Sequence, residues 1–106
     1  MITVLVVSEP GAARDLDAAA ARMPSLELLH ASDVEQALDR LARNRRIDAV
    51  LLLGGDAASE VARVILEEDP GAPPIFAAGS EIAGTRFLPA AEPAALLEML
   101  ERSLAG

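Results

Sequence analysis

Asp48-Ala49-Val50-Leu51-Leu52-Leu53-Gly54-Gly55-Asp56 is the stretch on which the fold turns. Its five consecutive apolar residues, Ala49 to Leu53, are the longest unbroken apolar run in the chain, and a glycine pair stops it. A run this short cannot cross a bilayer as a helix, which takes ~20 apolar residues. It also shows no polar alternation, so it reads as a strand covered on both faces, as inside a parallel sheet. Val4-Leu5-Val6-Val7 repeats the pattern upstream and Ile75-Phe76-Ala77-Ala78 repeats it downstream. Leu26-Glu27-Leu28-Leu29-His30 and the short Arg86-Phe87-Leu88 are the remaining strand candidates.

Helical spacing fills the gaps between these runs. Pro10-Gly11 breaks the first strand, and residues 12–23 then place Leu16, Ala19, Ala20 and Met23 on one helical face, with Pro24 as the stop. Ser32 followed three residues later by Glu35 has capping-box spacing, ahead of a stripe of Val34, Ala37, Leu38 and Leu41. Asp56 is placed to cap a third helix with Val61, Val64, Ile65 and Leu66 on its buried side, ended by Pro70-Gly71. Pro93 suits the first turn of a last helix carrying Leu96, Leu97, Leu100 and Leu104.

Strict alternation of this kind implies a parallel sheet with helices on both faces. Right-handed crossovers then predict an α/β, flavodoxin-like, doubly wound five-stranded sheet of order 2-1-3-4-5, built from residues 1–106 as one domain. One connection departs from the pattern. Gly79 to Thr85 is seven residues with two glycines, whereas a parallel crossover takes a dozen or more. The fourth helix is therefore expected to be shortened or missing, with the fifth strand an irregular or loosely paired edge.

Composition excludes several chemistries. The 106 residues hold no cysteine, a single histidine (His30) and no lysine, all nine basic residues being arginine. That removes thiolate nucleophiles, Schiff-base catalysis, the lysine of a phosphate-binding loop, and histidine- or cysteine-rich metal sites within one chain. A net charge of −8 opposes phosphate backbones, so nucleic acid is not an expected partner. At 52% hydrophobic the chain can bury a core. With no basic flank before its first apolar stretch, it is read as a cytoplasmic protein that inserts into no membrane.

In this fold class, chemistry sits at the carboxyl ends of the strands. Those ends read Ser8-Glu9-Pro10, His30-Ala31-Ser32, Leu53-Gly54-Gly55-Asp56, Ala78-Gly79-Ser80 and Pro89-Ala90-Ala91. Val4 to Pro10, Ile47 to Leu53, and Phe87 to Ala91 running into Glu92-Pro93-Ala94-Ala95-Leu96-Leu97 resemble the receiver domain of two-component response regulators over nearly the whole length. The resemblance implies a degenerate, pseudo-receiver form. The two acids that would hold Mg²⁺ correspond to Ser8 and Glu9, so one acid survives. The phosphate-accepting aspartate corresponds to Leu53, the Ser/Thr after the fourth strand to Gly79, with Ser80 one place along, and the lysine after the fifth strand to Ala90. Phe87 matches the aromatic switch position. Without nucleophile and lysine the family's phosphoryl transfer is not expected, so neither catalysis nor a cofactor is.

Some residues keep two readings. Asp56 is a helix cap or a displaced acceptor, and Glu9 with Asp56 is a solvated pair or a weak cation site. His30 is incidental or a titrating group. Arg40, Arg43, Arg45 and Arg46 either complement a helix terminus or form a basic patch for docking. The resemblance implies a module acting through a protein partner in a signalling or localisation system, with a homodimer as one form. Phe87, Leu88, Leu97, Arg43, Arg45 and Arg46 are the candidate partner surface. The alternatives are a structural α/β subunit, like the stalk subunit of rotary ATPases, or an atypical receiver phosphorylated on Asp56.

Overall fold

The computed structural model describes residues 2–9, 14–44, 46–53, 56–68, 71–78, 81–82, 84–89 and 92–105; of Asp56, Ala57 and Ala105 only the backbone is described. The elements follow in the order β1 (Ile2–Val7), α1 (Arg14–Ala20), β2 (Leu26–Ala31), α2 (Val34–Arg43), β3 (Ala49–Leu52), α3 (Asp56–Glu68), β4 (Ile75–Ala78), β5 (Arg86–Leu88) and α4 (Pro93–Ala105). The sheet order is β2-β1-β3-β4-β5, and every pairing is parallel. This is the doubly wound, flavodoxin-like arrangement expected from the alternation of runs.

The continuous apolar strands are buried because the sheet has two covered faces. All four residues of β3 and all four of β4 are buried. Side chains alternate across a strand, so each strand supplies two cores. Val4, Val6, Leu51, Phe76, Ala78 and Leu88 meet Leu16 of α1 and Leu96, Leu97 and Leu100 of α4. Leu5, Val7, Val50, Leu52 and Ile75 meet Ala37 of α2 and Ala58, Val61, Ala62 and Ile65 of α3. At the amino edge, Asp48 ties β3 to β1 by two bonds. Its carboxylate Oδ2 accepts from the Thr3 N–H at 2.9 Å, and its own N–H donates to the Thr3 carbonyl at 2.7 Å.

Several local expectations shift. The first helix is shorter than residues 12–23, ending at Ala20 before turns at Ala21 and Arg22. The second helix is capped by Asp33 rather than Ser32. Asp33 Oδ1 accepts from the Gln36 N–H at 2.8 Å, while the Gln36 side-chain carbonyl takes the N–H and the hydroxyl of Ser32. The cap thus sits one residue later than the Ser32–Glu35 spacing suggests, because aspartate caps as well as serine, and the return bonds to Gln36 come from Ser32 rather than from the Asp33 N–H. Asp56 is the first helical residue of α3. On that helix Leu66 is 44% exposed and small Ala58 and Ala62 take the buried stripe with Val61 and Ile65, since spacings of three and four from Ile65 lead back to 62, 61 and 58.

Among the described residues there is no helix between β4 and β5. The connection includes a turn in which the Ile82 carbonyl accepts from both the N–H and the hydroxyl of Thr85. Gly84 sits in it at φ +82°, a conformation that glycine adopts without strain. Ile82 packs on the α2/α3-side core. The expectation of a loosely paired fifth strand is corrected. β5 pairs in regular parallel register with β4, Phe76 opposite Arg86, Ala77 opposite Phe87 and Ala78 opposite Leu88. The Arg86 guanidinium also lies 5.9 Å from the centroid of the Phe76 ring, within cation–π range. No helix among the described residues is long and apolar enough to cross a membrane.

Candidate functional site

The carboxyl edge of the sheet is assembled by ladder bonds that run past the strand ends. The Ser8 N–H donates to the Ala31 carbonyl at 3.1 Å, and the Leu53 N–H to the Val7 carbonyl at 3.1 Å. The register Val7 opposite Leu52 therefore continues to Ser8 beside Leu53. Leu53 is half-buried and packs on the α1/α4-side core. Ser8 is half-buried and Glu9 is exposed.

Among the described residues of this edge, little chemistry is available. The Leu53 side chain carries no lone pair, so the position at the head of the central strand can neither attack phosphorus nor ligate a cation. Ser8 offers a hydroxyl and Glu9 a carboxylate. Among the described residues there is no group of three His, Asp or Glu side chains placed to hold a metal ion. Gly79 and Ala90 lie outside the described residues, as does the side chain of Asp56.

The candidate partner surface is only partly a surface. Phe87 is 41% exposed and is, with Leu66, one of the two large apolar side chains open to solvent among the described residues. Leu88 and Leu97, at 4% and 0%, are interior. Alternation along β5 turns Leu88 into the α1/α4-side core, where Leu97 reaches it from α4. The apolar stripe of the last helix is therefore consumed by the core rather than left for a partner. Leu66 lies close to Gly84, in the connection that leads into β5. A β-carbon placed on Gly84 would come 2.5 Å from Leu66 Cδ1.

Arg43 and Arg46 are both exposed, and Arg45 lies outside the described residues. Arg43 Nε meets Asp39 at 2.9 Å one helical turn back, and Arg40 Nε donates to the His30 carbonyl. Half of the four-arginine cluster thus has local partners, as its place at the end of α2 favours. His30 has a side-chain partner: Nε2 lies 2.8 Å from Asp17 Oδ1. The pair joins β2 to α1 with both side chains about half exposed, and sequence spacing carries no signal for it because the crossover brings the two together.

No family model matches the chain, and no curated relative matches it either. Solved structures do match. A chain from the complex of histidine kinase ThkA with response regulator protein TrrA superposes with a TM-score of 0.75 at 20% identity, covering 100% of each chain. The chemotaxis response regulator CheY4 of Vibrio cholerae gives a TM-score of 0.72 at 19% identity, covering 96% of this chain and 98% of its own. The pseudo-receiver domain of the CikA protein gives 0.69 at 17% identity, covering 100% of this chain and 98% of its own. The fold is that of CheY-like receiver domains, as the resemblance of sequence implied.

Proposed function

We propose that residues 1–106 form one pseudo-receiver domain, a receiver-like module that takes no phosphoryl group and acts in the cytoplasm by binding another protein of a response-regulator or localisation system. The observation that carries this reading is Leu53. It follows the central strand, level with Ser8, and the resemblance of sequence matches it to the acceptor carboxylate of the receiver pattern. Leu53 also packs on the α1/α4-side core, so the position contributes to stability rather than to reactivity. Two of the structures with this fold are receiver domains in complexes with a histidine kinase and with the phosphorylated P1 domain of CheA3, which supports a protein-binding role. In this chain the exposed residues fitted to that role are Phe87, on the edge strand, Arg43, at the end of α2, and Arg46, just past it.

The test is exposure of the protein to acetyl phosphate, and separately to beryllofluoride, with Mg²⁺. The intact mass and the amide spectrum should stay unchanged. A phosphoryl adduct on any residue, Asp56 and Glu9 included, overturns the reading.

A further inference from the structure

The free edges of the sheet are β2 and β5. β5 has three residues and β2 has six, so β2 presents the longer open ladder. In a parallel pair the N–H and C=O of one residue point to the same side of the strand, and successive residues alternate. The Ser25 carbonyl accepts from the Ile2 N–H at 2.7 Å, and the Ala31 carbonyl from the Ser8 N–H at 3.1 Å. The backbone groups of Glu27, Leu29 and Ala31 therefore face β1, and those of Leu26, Leu28 and His30 face outward. Both ends of that outward row are already taken. The Leu26 N–H donates to the Met23 carbonyl at 2.9 Å, and the His30 carbonyl accepts from Arg40 Nε at 3.3 Å. Among the described residues, what stays open is the Leu26 carbonyl, both groups of Leu28 and the His30 N–H.

This remainder is its own complement. Laid antiparallel against a second copy about a two-fold axis at Leu28, each Leu28 N–H meets the Leu28 carbonyl of the other copy, and each His30 N–H meets the other copy's Leu26 carbonyl. Every open group is then satisfied, and the end groups keep partners in their own copy. A shift of two residues either way leaves half of the open groups unmet or facing a group already taken. The side chains agree with this register. Leu28 and Leu29 are half-buried, one against each core. Pairing sets the two copies of Leu28 side by side at the axis and covers Leu29. Glu27 and Arg40 are exposed, and neither forms an ion pair among the described residues, where the pairs present are His30–Asp17, Arg43–Asp39 and Arg63–Glu67. In the junction Glu27 stands opposite Leu29 of the other copy, next to the His30 that holds Arg40, so opposite charges come together across the strands.

We infer that the outer edge of β2 is the contact through which two copies of this chain associate, extending the sheet across an antiparallel β2–β2 junction. Strand addition of this kind draws on main-chain hydrogen bonds. A second copy fits this edge better than a strand of another protein, because its open groups and its Glu27 and Arg40 are matched to themselves. The two-fold axis closes the assembly at two copies and leaves no open edge of β2 to recruit a third. The inference does not rest on the loss of phosphoryl transfer: a phosphoryl adduct would overturn the previous reading while leaving this one standing.

The test is sedimentation equilibrium of the full chain from micromolar to millimolar concentration at physiological salt, with amide hydrogen exchange measured at both ends of that range. A reversible equilibrium between monomer and dimer is expected. In the dimer the Leu28 and His30 amides should exchange at least ~10-fold more slowly than in the dilute chain, while those of Glu27, Leu29 and Ala31, bonded to β1 in either state, should change little. Leu28→Pro removes an outward N–H at a place on an edge strand where proline is tolerated, and should weaken dimerisation at least ~10-fold. Glu27→Arg leaves the backbone intact and sets like charges together, and should weaken it by a comparable factor; it decides the matter if the proline variant does not fold. Glu60→Arg, the same charge change at an exposed position of α3, should leave dimerisation unchanged. A chain still monomeric at millimolar concentration, a dimer whose new protection falls on β5 or α4, or undiminished association of Glu27→Arg would each overturn the inference.

Discussion

Leu52 and Leu66 undergo the same truncation to alanine with outcomes set by position alone. Leu52 is 0% exposed in the central strand, in the same core as Val50 and the α3 residues Val61 and Ile65. Leu66 is 44% exposed on α3, with its Cδ1 toward Gly84. Removing a buried leucine loses transfer free energy and leaves a cavity, together about 3 kcal/mol in a range of ~2–5. The site of Leu52 collapses poorly, because strands on both sides hold the backbone in place. Removing Leu66 loses part of one apolar contact and leaves no enclosed cavity, a cost below about 1 kcal/mol. For a domain of this length about 3 kcal/mol lowers the melting midpoint by roughly 12–20 °C. It is also a large share of a total of ~5–15 kcal/mol. Urea titrations of Leu52→Ala and Leu66→Ala should therefore show midpoints far apart at nearly equal slopes. Equal losses at the two sites, or a larger loss at Leu66, would refute the assignment of β3 to the interior and of Leu66 to the surface.

Asp48→Ala should cost about 1–2 kcal/mol in the same titration by leaving the Thr3 N–H without its carboxylate partner, and Asp48→Asn should recover most of it, since an amide carbonyl still accepts. Gly84→Ala should cost about 1–2 kcal/mol through its φ of +82°; the clash with Leu66 is relieved by rotating an exposed side chain, so Leu66→Ala should not rescue it. Asp33→Ala should cost about 1 kcal/mol as a lost helix cap, whereas Ser32→Ala should cost less than half as much; the reverse order would return the cap to Ser32. Phe87→Ser should shift the urea midpoint by less than about 0.5 kcal/mol equivalent, being exposed, while lowering capture of the partner by the full chain.

What the amino-acid order determines by itself here is the succession and type of elements. β4 and β5 have the limits that Ile75–Ala78 and Arg86–Leu88 suggest, and Pro93 opens α4 as its first helical residue. These features are local. A strand covered on both faces must be apolar throughout, and a proline without an N–H costs nothing in a first helical turn. The proposed loss of receiver chemistry is read from the sequence in the same local way, from which atoms Leu53, Ala90 and a lysine-free chain can supply. Choices between near-equivalent residues were not legible. Ser32 and Asp33 are both good caps one position apart, and only the path of the backbone into α2 selects Asp33. Leu66 satisfies a helical stripe in one dimension, yet its place one residue past Ile65, about 100° further round the helix, leaves it in solvent. Leu88 and Leu97 look free when read as an edge strand and a terminal helix. They become interior once α4 folds back over β5, alternation along the strand turning Leu88 inward and the packed face of α4 carrying Leu97. The pairing of His30 with Asp17 depends on which elements the crossovers make neighbours. Distances across a crossover are set by the winding of the sheet, and no spacing along the chain encodes them.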